Sequence, residues 1–217
     1  MVLAVNICSR EAELQNIEKW EARNNLKKSL EIIFTKSRRR CTVCAPSPLT
    51  NIHRVTSMKI LGITVTNHLS VSEHVHNTVT CRCVQSMHAL RILHSHGLPT
   101  ESLQMIFKAV FVAKLTYASP AWWGFTTADD RNRMSGLQRR GWRVGFYNGP
   151  TVTQIIEEAD DRLFNSIVFY EQHLLHRLLP ERHYTNYDLR SRRHDRTLLA
   201  NTDRRNFVYR MIFKDMY

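Results

Sequence analysis

The chain has 217 residues, 43% of them hydrophobic, enough for a packed core and against global disorder. Its 31 Lys and Arg against 19 Asp and Glu give a net charge of +12, which suits a polyanionic partner, nucleic acid foremost. Five cysteines without framework spacing exclude a disulfide scaffold and point to a reducing, intracellular setting, cytoplasmic or nuclear.

Residues 2–8, VLAVNIC, read as a short buried strand, and the start is too short and too soon acidic for a signal peptide. Ser9 then caps a helix whose first turn carries Glu11 and Glu13, with Leu14, Ile17 and Trp20 as its apolar stripe. SLEIIFTK (29–36) reads as a strand, followed by the basic run Arg38, Arg39 and Arg40 and a turn over Ala45–Pro48. MKILGITVT (58–66) reads as a second strand rich in β-branched residues.

Ser70 with Glu73 forms a capping box for the clearest helix, striped by Val71, Val75, Val79, Cys83, Met87 and Leu90 and stopped by Gly97. Thr100 caps the next, with Leu103, Ile106, Phe107, Val110 and Tyr117 as its buried face, and Pro120 ends it. After the aromatic junction Trp122-Trp123-Gly124-Phe125, Thr127 and Asp130 open a helix bearing Met134, Leu137, Gly141 and Val144. Gly145 to Pro150 is a loop. Residues 153–179 read as helix in two pieces broken near Asp160, and the tail from Pro180 as a polar arm, without apolar periodicity until Phe207.

Two acidic pairs invite comparison with polymerase carboxylates, which hold two metal ions. Asp129-Asp130 follows Ala128, but its flanks are those of a helix start, where acids complement the dipole. Asp160-Asp161 lies between helical pieces. Cys41 and Cys44 have the spacing of half a zinc site. Cys81 and Cys83 fall about 200° apart on a helix, as do His74/His76 and His94/His96, so no metal site is expected. With 7 glycines and no Gly-x-Ser-x-Gly elbow or phosphate loop, neither nucleophilic catalysis nor a small-molecule substrate is indicated. No apolar run approaches the ~20 residues that cross a bilayer, so no membrane partner is expected.

The charge is uneven. Residues 1–60 carry 11 basic and 5 acidic groups, residues 61–150 carry 9 and 4, and residues 151–217 carry 11 and 10. A polyanion would therefore lie mainly on the first 150 residues. Arg38, Arg39, Arg40, Arg139, Arg140 and Arg143 are the candidate phosphate ligands, the last three around Trp142, whose ring can stack on a base or sugar. Trp122 and Trp123 are read as core.

Six segments in order are similar to one family. ELQNIEKWEARNNL (13–26) resembles the helix after the catalytic hairpin of non-LTR, LINE-type retrotransposon reverse transcriptases, and KSLEIIF (28–34) the adjoining strand. HRVTSMKILGITVTNHLSVSEHV (53–75) resembles the next strand and the start of the helix after it, and LPTESLQMIFKAVFVAKLTYASPAWWG (98–124) the thumb helix and the segment that follows. LQRRGWR (137–143) and TDRRNFVYR (202–210) resemble later elements. The likeness covers roughly residues 10–217.

The resemblance implies an α/β, predominantly α-helical chain in three parts. These are the end of a palm over 1–66, with a small partial sheet, a helical thumb-like region over 67–150, and a helical connection with a basic polar arm over 151–217. It implies an RNA–DNA hybrid or duplex as partner. Lys28 stands where the family has its general-acid lysine, although Lys27 and Lys28 are adjacent here whereas the family has several residues between the two elements. The Tyr/Phe-Ala-Asp-Asp hairpin and its Mg2+ ions would precede residue 1, so no cofactor and no polymerase activity are expected of the chain alone. The alternative expectation is a non-catalytic nucleic-acid-binding or interaction protein derived from a mobile element.

Overall fold

A computed structural model describes residues 13, 15–17, 19–20, 23, 30–34, 52–182, 196–197 and 203–214. It is mostly helical with two small two-stranded sheets. Among the described residues no helix is long and apolar enough to cross a membrane. The expected strand at 2–8, the turn at Ala45–Pro48, Lys28 and Arg38, Arg39 and Arg40 lie outside the described residues. Two compact units, Met1–Met58 and Lys59–Tyr217, divide the chain.

In the first unit, the described residues from Glu13 to Arg23 are helical. Trp20 is 58% exposed, so the expected stripe does not bury it. Of the strand expected over 29–36, the described residues form β1 (Leu30–Glu31) and leave 32–34 outside it; β1 pairs in parallel with β2 (His53–Arg54), Leu30 opposite His53. An ion pair of 2.9 Å between Arg54 Nε and Glu31 Oε2 closes the pairing.

The single strand expected over 58–66 is instead a hairpin, β3 (Ser57–Ile60) and β4 (Ile63–Thr66). Leu61 and Gly62 both take positive φ, 47° and 88°, the conformation of a tight two-residue hairpin turn. Tyr117 holds this turn through a 2.8 Å hydrogen bond from its hydroxyl to the Leu61 carbonyl. A Cβ at Gly62 would stand 3.3 Å from the Tyr117 ring. The Leu-Gly dipeptide carries too weak a turn signature to be read against its β-branched flanks.

The helix after the hairpin buries all six expected residues, Val71, Val75, Val79, Cys83, Met87 and Leu90. It runs as α1 (Ser72–His74), a π-helical stretch (Val75–Cys81) and α2 (Arg82–Ser95). From Val71 to Met87 the stripe steps by four, which on an α-helix of 3.6 residues per turn drifts about 40° per step. The wider π turns compensate that drift and keep the stripe on one partner. The expected Ser70–Glu73 capping box does not form; Val71 is the N-cap and no side chain caps it.

Helix α3 (Thr100–Thr116) buries Leu103, Phe107, Phe111 and Leu115. Of the face expected here, Ile106 and Tyr117 are exposed and Val110 is half-buried, because the buried face follows the i, i+4 row Leu103, Phe107, Phe111 and Leu115, whose two phenylalanines stack at 5.1 Å. Pro120 does not end α3. It lies in the first turn of α4 (Ser119–Trp122), where its missing N–H is harmless, after Ala118 reverses the chain at φ 49°. A 3-10 turn (Trp123–Phe125) leads to α5 (Ala128–Val144). Trp122 and Trp123 are core, as expected.

Helix α6 (Val152–Phe169) passes unbroken through Asp160, contrary to the expected division there. Asp160 is buried and ion-paired to Arg210 at 2.8 Å, which lets an aspartate sit mid-helix. Asp160-Asp161 is thus a helical pair rather than a junction. A 3-10 turn (Leu174–Leu178) follows. Near the C-terminus α7 (Phe207–Ile212) packs on α6, burying Val208, Met211 and Ile212 with Phe164, so this part of the tail is no free arm.

Candidate nucleic-acid interface

Thr127 sets the direction of α5. Its side chain accepts from Asp130 N at 3.2 Å, and Asp130 Oδ2 accepts from Thr127 N at 3.1 Å, a complete capping box. Asp130 also accepts from Ser72 Oγ at 2.7 Å, tying α5 to α1. Burial pushes its carboxyl up, but the hydrogen bonds from Ser72 and Thr127 and the charge of Arg133 outweigh burial and hold it below the ordinary range. Asp129 pairs with Arg133 at 2.6 Å. These are helix-cap carboxylates, as their flanks indicate.

The core-facing side of α5 carries Asp130, Met134, Leu137, Gln138 and Gly141. Gly141 lets it approach α3: a Cβ there would stand 2.8 Å from the Phe107 ring. At about 100° per residue, Arg139, Arg140 and Arg143 fall together on the opposite side, within about 100° of one another. All three are exposed, and none makes a hydrogen bond or ion pair among the described residues. Arg139 and Arg143 are one turn apart, where like charges repel unless an anion bridges them.

Trp142 borders this face, 39% exposed, and stacks on Tyr147 with ring centroids 6.2 Å apart and planes 18° from parallel. Tyr147 is buried against Phe107 and Phe111 and donates from its hydroxyl to Pro150 O at 2.8 Å. Burial raises its phenol, against the opposite pull of a Gln138 hydrogen bond. Gln138, itself buried, donates to Pro150 O and accepts from Val152 N at 2.8 Å. Gln104 fastens the loop from outside, donating to Gly145 O at 2.8 Å.

Sequence reasoning found the arginines and Trp142 but missed Gln104, Gln138 and Tyr147, which fix the loop behind them. A signal was present at one place. Thr151 and Gln154 form a capping box, a Thr-x-x-Gln pattern that marks where the loop ends.

The other candidate chemistries are not assembled. His74 is buried in a T-shaped ring contact with Trp122, and burial and then the Lys59 charge lower its pKa. Burial pushes the Cys83 thiol up to about 11. Cys41 and Cys44 lie outside the described residues, among which no group of three or more His, Cys, Asp or Glu could hold a metal ion. Asp160 and Asp161 face Arg210 and Lys214 at 2.8 and 2.7 Å. Burial raises the Asp160 carboxyl above the ordinary range, against the pull of those cations. No family model, curated protein or solved structure matches the chain.

Proposed function

We propose that the chain is the post-catalytic part of a non-LTR retrotransposon RNA-directed DNA polymerase, and that it holds template–primer nucleic acid, an RNA–DNA hybrid or duplex, without catalysing polymerisation by itself. The observation that carries the binding role is the unpaired cluster of Arg139, Arg140 and Arg143 on the solvent side of α5. Guanidinium groups in such a cluster grip phosphates bidentately, and bound phosphates relieve their mutual repulsion. The retrotransposon reading is supported by the ordered sequence likeness over residues 10–217. The carboxylates of both Asp-Asp pairs have hydroxyl, amide or cationic partners, which favours binding over metal-dependent chemistry at those positions.

Phosphate contacts release condensed counterions, so affinity should fall steeply with salt, by a log–log slope of about 0.9 per contact on a duplex. Changing Arg139, Arg140 and Arg143 together to Gln is expected to flatten that slope by up to about 2.7. A charge-matched control changes Arg162, Arg205 and Lys214 to Gln, all already in ion pairs, and should flatten it less. A salt titration of a labelled hybrid decides the matter. Equal losses in the two variants would mean that net charge, not this face, attracts the polyanion.

A further inference from the structure

Trp142 is the feature of the α5 face that phosphate binding leaves unexplained. A large indole left 39% exposed, beside three unpaired guanidiniums, has no charge to offer a phosphate. Its ring lies nearly parallel to that of Tyr147, offset with centroids 6.2 Å apart, and Tyr147 is immobilised by Phe107, Phe111 and the Pro150 carbonyl. The exposed part of the ring is therefore a flat surface held on a rigid backing, and it loses little side-chain freedom when something stacks on it.

We propose that this surface takes an unpaired nucleotide, its base stacked on Trp142 and its neighbouring phosphates on Arg139 and Arg143. The two arginines are separated by about 6 Å along the helix, four residues at 1.5 Å each, which is on the scale of one backbone repeat of a nucleic-acid strand. Inside a continuous duplex both faces of every base are already stacked, and a side chain on a convex helix meets only phosphates and base edges. A free base face exists in a single-stranded extension, a loop or a strand end. Trp142 thus adds affinity for single-stranded segments and none for an uninterrupted duplex, while the arginines serve both. The specificity is for an unpaired base of any identity, because every base has a π face.

This inference rests on the binding role proposed above, and the test separates the two. Three probes are compared by equilibrium binding at fixed salt: a blunt RNA–DNA hybrid, the same hybrid with a short single-stranded extension, and that extension with abasic residues. The protein is expected to bind the extended hybrid about tenfold to a hundredfold more tightly than the blunt one, and to lose that preference on the abasic probe. Trp142→Leu, which keeps an apolar group beside Tyr147, should abolish the preference, so that the extended, abasic and blunt probes bind alike; Trp142→Phe should retain much of it. The Arg139/Arg140/Arg143→Gln variant should weaken all three probes alike. A variant that merely loosened the fold would lower all affinities together and leave their ratios untouched. Equal binding of the extended and abasic probes, or a preference that survives Trp142→Leu, overturns the stacking proposal while the phosphate role stands. Binding of no probe through the arginines overturns both.

Discussion

On α5 the guanidiniums of Arg139, Arg140 and Arg143 stand in solvent without ion pairs, whereas near the C-terminus Arg205, Arg210 and Lys214 are each tied to an aspartate at 2.7–2.8 Å. The C-terminal cations are also built into packing. Arg205 lies over the Phe125 ring at 5.0 Å, and its carbonyl occupies the space a Cβ at Gly124 would need. Arg210 reaches past Asp160 to the Pro120 carbonyl at 3.4 Å. Composition counts all six cations equally; the difference lies in which of them still lack a counter-charge. Arg210 and Lys214, fastened to Asp160 and Asp161, hold the C-terminal segment on α6, and Arg205 is tied locally to Asp203, whereas the cations without partners have charge to offer a ligand.

Breaking the C-terminal set sharpens this contrast most. Asp160→Ala removes the partner of a largely buried guanidinium, and one atom of each side chain in this pair, Asp160 Oδ1 and Arg210 Nε, is already buried without a hydrogen bond. Leaving Arg210 unpaired should cost about 3–5 kcal/mol, read as a lower denaturant midpoint. Replacing both partners, Asp160→Leu with Arg210→Met, should recover most of that loss, because neither charge is then stranded. If the single and double variants are equally destabilised, the pair contributes through attraction rather than through avoiding an unpaired charge. The stable double variant should bind a blunt hybrid as the wild type does.

A smaller effect is expected where α5 begins. Thr127→Ala deletes the side-chain acceptor for Asp130 N and one of the donors to the Asp130 carboxylate, leaving Ser72 Oγ as its remaining side-chain partner. The expected cost is about 1 kcal/mol, within the usual range for a lost N-cap, measured by chemical unfolding. Thr127→Ser should restore most of it. Should Thr127→Ala instead cost as much as Asp160→Ala, the cap matters mainly for tying α5 to α1, and the arginine face depends on that tie.

These two sites also mark what the sequence could reveal. The Thr127–Asp130 cap and the four-residue stripe from Val71 to Met87 are local patterns, and their residues fall where periodicity and capping chemistry put them. The Asp160–Arg210 contact joins residues 50 apart, and no local rule announces it. Asp160-Asp161 therefore looked like a helix break when it is a mid-helix docking point. The candidate interface divides in the same way. Arg139, Arg140, Arg143 and Trp142 follow from one helix and its charge, but Gln104 and Tyr147 matter only because α3 and the loop after α5 meet in space. The π-helical stretch was half legible, since steps of four were visible while the backbone's answer to them was not.

The smallest expected effect is a pH dependence that arises in the core rather than in either basic cluster. His74 is buried in a T-shaped contact with Trp122, its Nδ1 has no hydrogen-bond partner, and burial and the Lys59 charge lower its pKa from the ordinary value of 6.5. In the unfolded chain it gains a proton near 6.5; folded, it does so only at lower pH. Between the two values the unfolded chain binds more protons, so the stability contributed by neutral His74 is complete above about 6.5, declines as pH falls through that window, and levels off below the folded value. Asp130 is held low from 3.8, so its contribution is lost only in stronger acid, and Cys83 is raised from 9.0 to about 11, so it acts only in alkali. Between pH 7.5 and 5 the His74 term should therefore stand apart from both, and Asp160, raised from 3.8 by burial, is common to the wild type and a His74 variant and cancels in their comparison. Unfolding curves of the wild type and of His74→Leu across this range compare slopes rather than absolute stabilities, which removes any packing penalty of the leucine. The variant's stability should depend on pH less steeply. Parallel slopes would show that His74 is as easily protonated in the fold as in the unfolded chain, and that an imidazolium is tolerated beside Trp122.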